Sequence, residues 1–353
     1  RAPETIRPVI ATMSTGMRVA RTFGFHCEFL PRRPEWGSSA WHALVAERLV
    51  DLIEQHQVRT VVFDGNAPYQ GVLAARERTG ATVIWMRRAM WKAGAGEKFM
   101  ERGKAFDLIL EPGEYAAEND EGITVSERSR AACVNPILLL DEDELLPRED
   151  AKRELGLDPA KRAVLVQFGA GNVNDAASGT GMTARRLASE PDTEVVVAEW
   201  IIADEAFDLP DGVHRLRVYP ISRYLRAFDF VISAAGYNSF HDLIAYAVPT
   251  ILVPMETATE NQRGRTSYAD KHGAAIELWP FSEESLESAL ERMNDPQIRR
   301  RLSERCHATF PGNGAQEAMD LITRVNAEAW SDAPTPHTVA ETVSQPETTE
   351  ALA

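Results

Sequence analysis

The chain has 353 residues, too many for one average domain and enough for two of roughly 150 to 170 residues with sizeable cores. A formal charge of −15 argues against general nucleic-acid binding and against broad attraction to anionic lipid. With 44% hydrophobic residues and no apolar run near the ~18 residues of a membrane span, the composition is that of a soluble protein without a transmembrane helix.

No secretory signal opens the chain, and Arg1 is not an initiator Met, so the natural amino terminus is expected upstream. Cys27, Cys133 and Cys306 stand far apart in no metal or redox spacing, which fits buried thiols in a cytoplasmic protein.

Strand-like runs alternate with helical patterns from end to end, the sign of parallel α/β layers. In the first half, strands are expected at Pro8–Met13, Val58–Phe63, Thr82–Trp85 and Leu108–Leu110, with amphipathic helices at Ala40–Gln55 and Gln70–Thr79. Between Ala74 and Lys104, eight basic residues, Arg87 and Arg88 among them, outnumber three acidic ones. Such a local basic surface can bind one phosphorylated partner, and a solvated helix face is the plainer alternative. Turns follow around Glu111–Asn119, and Asn135-Pro136-Ile137 then leads into the acidic stretch Asp141–Asp150. Pro136 and Pro147 break helices there, so this stretch reads as the connection between domains.

A short helix at Glu149–Leu155 and an apolar strand at Ala163–Gln167 restart the alternation. Further strands are expected at Val195–Ala198, His214–Val218, Phe230–Ser233, Thr250–Val253 and Ala275–Glu277. Helices fit Thr183–Ser189, Arg223–Ala227, Ser239–Ala245, Asn261–Lys271, Ser282–Asn294, Gln297–Ala308 and Gly314–Trp330. The Thr/Pro/Glu-rich end lacks large apolar residues and is expected to be disordered. The division is a first α/β domain at 1–135, a linker with a short helix at 136–160, a second domain at 161–330 and a tail at 331–353.

The stretch from Phe230 to Leu278 carries the most chemistry. A buried strand runs into the small residues Ser233-Ala234-Ala235-Gly236 just where a helix begins, leaving backbone N–H groups uncovered as an anion site. Asp242 lies six residues past Gly236, nearly two turns along that helix. This suits a nucleotide diphosphate whose ribose is held by a carboxylate, and an ordinary βαβ turn would look the same. A second strand ends in Val253-Pro254, ahead of the polar loop Glu260-Asn261-Gln262.

This ordered pattern resembles the carboxyl-terminal domain of two-domain GT-B nucleotide-sugar glycosyltransferases, with family 28 N-acetylglucosaminyltransferases the nearest in pattern. The resemblance implies two Rossmann-like domains facing a cleft. It also implies that the first domain lacks its opening strand and loop, since Pro8–Met13 resembles that domain's second strand. Donor-binding positions carried over by resemblance are Gly169, Ala170, Gly171 and Asn172 for the diphosphate, where Gly-Ala-Gly replaces a serine-bearing loop. Val218 and Tyr219 fall at the base, and Ala235, Gly236, Tyr237 and Asn238 at the helix start. Asp242 falls at the ribose, in place of the usual Glu, and Glu260, Asn261 and Gln262 fall at the sugar. Tyr219 could equally be packing, and the Glu260–Gln262 residues equally suit a helix start.

The first domain is expected to take the acceptor. Asp64 ends a buried strand and could act as general base on an acceptor hydroxyl or cap the next helix, and His26 and His42 are weaker candidates. Arg87 and Arg88 favour a phosphate-bearing or lipid-linked acceptor, with peripheral contact at the inner face of the membrane. The expected reaction is transfer of a sugar, such as an N-acetylhexosamine, from an NDP-sugar (UDP most of all) to a hydroxyl. No tightly bound cofactor or metal is required, because helix dipole and backbone amides can stabilise the leaving diphosphate. A nucleotide-sugar 2-epimerase or hydrolase of the same fold, or a non-catalytic binding protein, are the rival readings.

Overall fold

A computed structural model describes residues 2–14, 16–31, 38–169, 176–199 and 209–331. The first half runs β1 (Val9–Thr12), α1 (Met17–Thr22), β2 (His26–Phe29), α2 (Ser39–His56), β3 (Thr60–Asp64), α3 (Gln70–Thr79), β4 (Thr82–Met86), α4 (Glu97–Gly103), β5 (Leu108–Pro112), α5 (Ile123–Ser126) and β6 (Ala131–Val134). After the connecting α6 (Arg148–Glu154) come β7 (Arg162–Gln167), α7 (Ala176–Ala188), β8 (Thr193–Ala198), β9 (His214–Leu216), β10 (Phe230–Ala234), α8 (Tyr237–Ala245) and β11 (Thr250–Val253). The chain closes with α9 (Gln262–Lys271), β12 (Ile276–Glu277), α10 (Glu283–Asn294), α11 (Pro296–Thr309) and α12 (Ala315–Ser331).

The second sheet is wholly parallel, in the order β12-β11-β10-β7-β8-β9. Counted from its own first strand this is the order of the doubly wound dinucleotide fold, whose switch point lies between β7 and β10. Val164, Val166, Phe230 and Ile232 bury on one face, while Ala163, Leu165 and Val231 bury on the other. Apolar side chains at consecutive positions are what a strand covered on both faces requires.

In the first half, β3-β4-β5-β6 form a parallel sheet, and β1 pairs β2 in a separate two-stranded ribbon. Between β1 and β3 lies a slot of about 510 Å³, lined by Val9 to Met13, Thr60 to Phe63 and the α2 residues Leu49 and Ile53. Among the described residues neither strand has a partner on this side, and Val62 is exposed.

Two sequence expectations need correction. β2 and β6 are not among the expected strands; each lies at a sheet edge with at most one buried residue, so neither shows the buried apolar run that marks β7 or β11. The closing helix, assigned to the second domain, packs on the first: Ala318, Leu321, Ile322 and Val325 of α12 cover Ile84 and Leu110 of β4 and β5. Its apolar stripe needs a sheet face, and the far side of the first sheet provides one. No helix among the described residues is long and apolar enough to cross a membrane. The expected tail, past Ser331, lies outside the described residues.

Candidate active site

Among the described residues, the segments after β10 and β11 meet the loops after β3, β4 and β5 of the first sheet. The seam is made by main chain: the Lys92 amide donates to Thr259 O and the Asn261 amide to Met90 O, each at 2.7 Å, and Trp91 pairs with Glu260. Lys92 Nζ adds Glu256 at 2.7 Å and Thr257 O at 2.8 Å. Hydrogen bonds of this kind fix the loops flanking the cleft in register.

At the switch point, Gly236 precedes α8, and no side chain caps the helix. A Cβ built on Gly236 would meet only Gln262 Nε2, at 3.9 Å. Among the described residues nothing covers the first turn of α8 at Gly236, a place where its amides could take an anion. Across the switch, Gly169 adopts φ +85°, a backbone that an L residue takes with strain, and among the described residues nothing lies within 4 Å of where its side chain would stand. Ala170, Gly171 and Asn172, expected to contact the diphosphate, lie outside the described residues. Gln167 Nε2 donates to buried Ser233 Oγ at 3.1 Å and ties the two strand ends together.

Asp242 lies on α8, half-buried, and desolvation pushes its carboxyl up to about 7. Tyr219 follows β9 and is 54% exposed. Burial, then the nearby Asp242 charge, raise its hydroxyl, so the two residues share one wall. Phe23 of the first domain stands edge-on to Tyr219 at 6.0 Å. Val218 is partly covered and Asn238 is exposed.

Other expected donor contacts are already engaged. Tyr237 is buried in the interdomain seam, where its hydroxyl donates to Gly113 O at 2.9 Å. Its ring faces the first domain, so only its main chain is available to a ligand at the helix start. Asn261 caps α9, accepting from the Gly264 amide at 2.9 Å. Glu260 is bound by Arg265 and by Gln262 Nε2, and Gln262 Oε1 accepts the Met255 amide at 3.0 Å. The helix-start alternative thus describes Asn261, while Glu260 and Gln262 brace the loop itself.

Sequence reasoning missed the network beneath this wall. Glu114, at the end of the first sheet, accepts from Arg265 Nε at 2.9 Å and lies 3.3 Å from His241 Nε2, all three fully buried. Burial alone would raise the Glu114 carboxyl, but Arg265 and His241 outweigh it and hold it at about 2. The buried side of α9 is Gln262, Arg265, Thr266 and Ala269, so no apolar stripe in the sequence set Arg265 apart from Arg263 two positions before it.

In the first domain Asp64 ends β3 with its side chain 53% exposed, 3.4 Å from Arg88, whose guanidinium lies over the Tyr237 ring at 5.3 Å. Both therefore face the cleft. Arg87 does not. It is fully buried, with Nε 3.2 Å from Glu111, so it is withdrawn from the expected acceptor surface. The rest of the basic stretch is largely paired as well, Arg76 with Asp107, Arg78 with Glu47 and Lys104 with Glu101.

Residues 211–323 match the glycosyltransferase family 28 C-terminal domain. The chain is a GT-B glycosyltransferase that resembles family 28. Over 286 residues it is 26% identical to the UDP-N-acetylglucosamine--N-acetylmuramyl-(pentapeptide) pyrophosphoryl-undecaprenol N-acetylglucosamine transferase of Clavibacter sepedonicus, spanning 79% of this chain and 72% of that protein. Solved structures of a glycosyltransferase from Rickettsia africae ESF-5 and of MurG from Acinetobacter baumannii share the fold. The first has a TM-score of 0.61 at 10% identity, covering 93% of this chain and 92% of its own. The second has 0.55 at 12%, covering 90% of each.

Proposed function

We propose that the cleft binds a UDP-sugar and transfers its sugar, an N-acetylhexosamine, to a hydroxyl of a phosphorylated or lipid-linked acceptor. The observation that carries this is the open start of α8 at the switch point, with desolvated Asp242 and Tyr219 beside it. The diphosphate would lie on the α8 amides, the ribose hydroxyls would donate to Asp242, and the base would lie against Tyr219 and the Val218 main chain. Glu260 and Gln262, braced by Arg265, hold the loop that flanks the sugar.

Asp64 is the candidate base. It would take the proton of the acceptor hydroxyl as that oxygen bonds to the anomeric carbon and the bond to the diphosphate breaks. Negative charge then develops on the leaving diphosphate, where helix amides and dipole are favourably placed. Arg88, next to Asp64, is the remaining candidate for an acceptor phosphate. A phosphate-bearing lipid acceptor would bring the protein to the inner membrane face without a spanning helix.

The test is calorimetry of the whole chain with UDP, GDP and dTDP, followed by turnover of UDP-sugars with and without lipid-linked acceptors. Binding of UDP above the others and acceptor-dependent release of UDP are expected. Binding of none of the three would remove the donor site. Sugar release or epimerisation without acceptor would point instead to a hydrolase or epimerase.

A further inference from the structure

Apart from the cleft, three metal-ligating side chains converge where β2 meets the last turn of α2. His26 and Glu28 stand two apart on β2 and share a face, and His56 is the last residue of α2. His26 Nε2 lies 2.8 Å and His56 Nε2 3.4 Å from the same oxygen, Glu28 Oε1. All three ligand atoms fall within 4.8 Å of one another. Bonds of about 2.0–2.1 Å to a tetrahedral ion put ligand atoms roughly 3.3 Å apart, and the two imidazole-to-carboxylate separations, 2.8 Å and 3.4 Å, bracket that value.

Two further details favour a cation over a plain ion pair. Among the described residues His56 Nε2 is shielded from water and forms no hydrogen bond of ordinary geometry, its approach to Glu28 being the long one. Arg48 donates to Glu28 Oε2 at 2.8 Å, which fixes the carboxylate and leaves Oε1 turned to both imidazoles. That is how an outer partner orients a monodentate ligand. His26 is 57% exposed at its side chain, giving an entry path and room for a water as fourth ligand.

We propose that His26, Glu28 and His56 form a divalent-cation site of the zinc class. Two nitrogens and one oxygen suit zinc, with the fourth position open. Its role is to clip the β1–β2 ribbon to α2. Strands of four residues in a two-stranded sheet are marginal alone, and the slot beside β1 separates this ribbon from β3. A cation that binds only the folded arrangement stabilises it by mass action. Phe23, three residues before His26, would thereby be held against Tyr219 in the donor wall.

The test uses the full chain, freed of any affinity tag and stripped with a chelator. Titration with Co2+ should produce the visible bands of a tetrahedral site at one equivalent, bleached by Zn2+, and Zn2+ should raise the melting temperature. His26→Ala and His56→Ala should each weaken Co2+ binding more than roughly tenfold. His26→Ala, at the exposed ligand, keeps the comparison valid if His56→Ala unfolds, and circular dichroism checks both. Absence of bands in the wild-type chain, or bands unchanged in His26→Ala, overturns the proposal.

Discussion

Glu114 and Arg265 meet at 2.9 Å across the boundary between the two sheets, both out of contact with water. Arg265 also pairs with Glu260 of its own domain and Glu114 also faces His241, but the Glu114–Arg265 contact is the ion pair of this group that joins the first domain to the donor wall. Breaking a buried pair leaves an uncompensated charge, at a cost of about 3–5 kcal/mol. Arg265→Met should therefore lower the unfolding free energy from urea titration by that amount, and Glu114→Leu combined with Arg265→Met should recover part of it. The pH dependence has a definite sign. Glu114 is held at about 2, below its ordinary 4.5, so its stabilisation is intact above pH 4.5 and lost as pH falls towards 2. Acid titration of Glu114→Gln should show a flatter limb in that window, and an unchanged limb would rule the pair out as the acid-sensitive lock.

Asp242 behaves in the opposite sense. Burial lifts its carboxyl from 3.8 to about 7, so ionising it costs the folded state stability as pH rises between those values. Asp242→Asn should match the wild type near pH 4 and be more stable at pH 8 by on the order of 1–3 kcal/mol. Ribose hydroxyls donating to the carboxylate would favour its charged form. UDP binding should then tighten from pH 6 to 8 with proton release, and Asp242→Asn should lose this dependence. If the mutant binds UDP with the wild-type pH profile, Asp242 does not hold the ribose.

The open turn at Gly236 was readable because small residues and a period change in the sequence mark a strand running into a helix. What faces that helix was not readable. Tyr237 looked like a donor contact, yet its ring is taken by Gly113, which lies over a hundred positions away in sequence and on the other sheet. Arg87 and Arg88 show the same limit at shorter range. They are adjacent, so their side chains diverge, and only the position of Glu111 on β5 decides that Arg87 is the buried one. The α12 helix was visible as a helix, but its docking on β4 and β5 depends on which sheet face is left bare.

For Asp64 the expected effect is on turnover. A positioned base contributes typically 10²–10⁴-fold, so Asp64→Asn should lower kcat by at least about a hundredfold while the affinity for UDP stays within a factor of about two. Arg88→Ala, by contrast, should raise KM for a phosphorylated acceptor more than for an unphosphorylated one. Steady-state kinetics with both acceptors separates the two roles. Equal loss on both acceptors would make Arg88 a brace for Asp64 and Tyr237, its neighbours at 3.4 Å and 5.3 Å.

Gly236 occupies a backbone position that does not need glycine. Gly236 has φ −64° and ψ 151°, which any L residue adopts, and a Cβ there meets nothing closer than 3.9 Å. Gly236→Val should therefore cost the fold less than about 1 kcal/mol, mainly as a poorer helix cap. The added side chain would stand over the first amides of α8, where the diphosphate is proposed to lie. Calorimetry should show UDP affinity falling by more than tenfold while uridine, which has no phosphate, binds as weakly to the mutant as to the wild type. An unaltered UDP affinity with the fold intact would move the diphosphate away from α8, since no other route connects so small a change to the ligand.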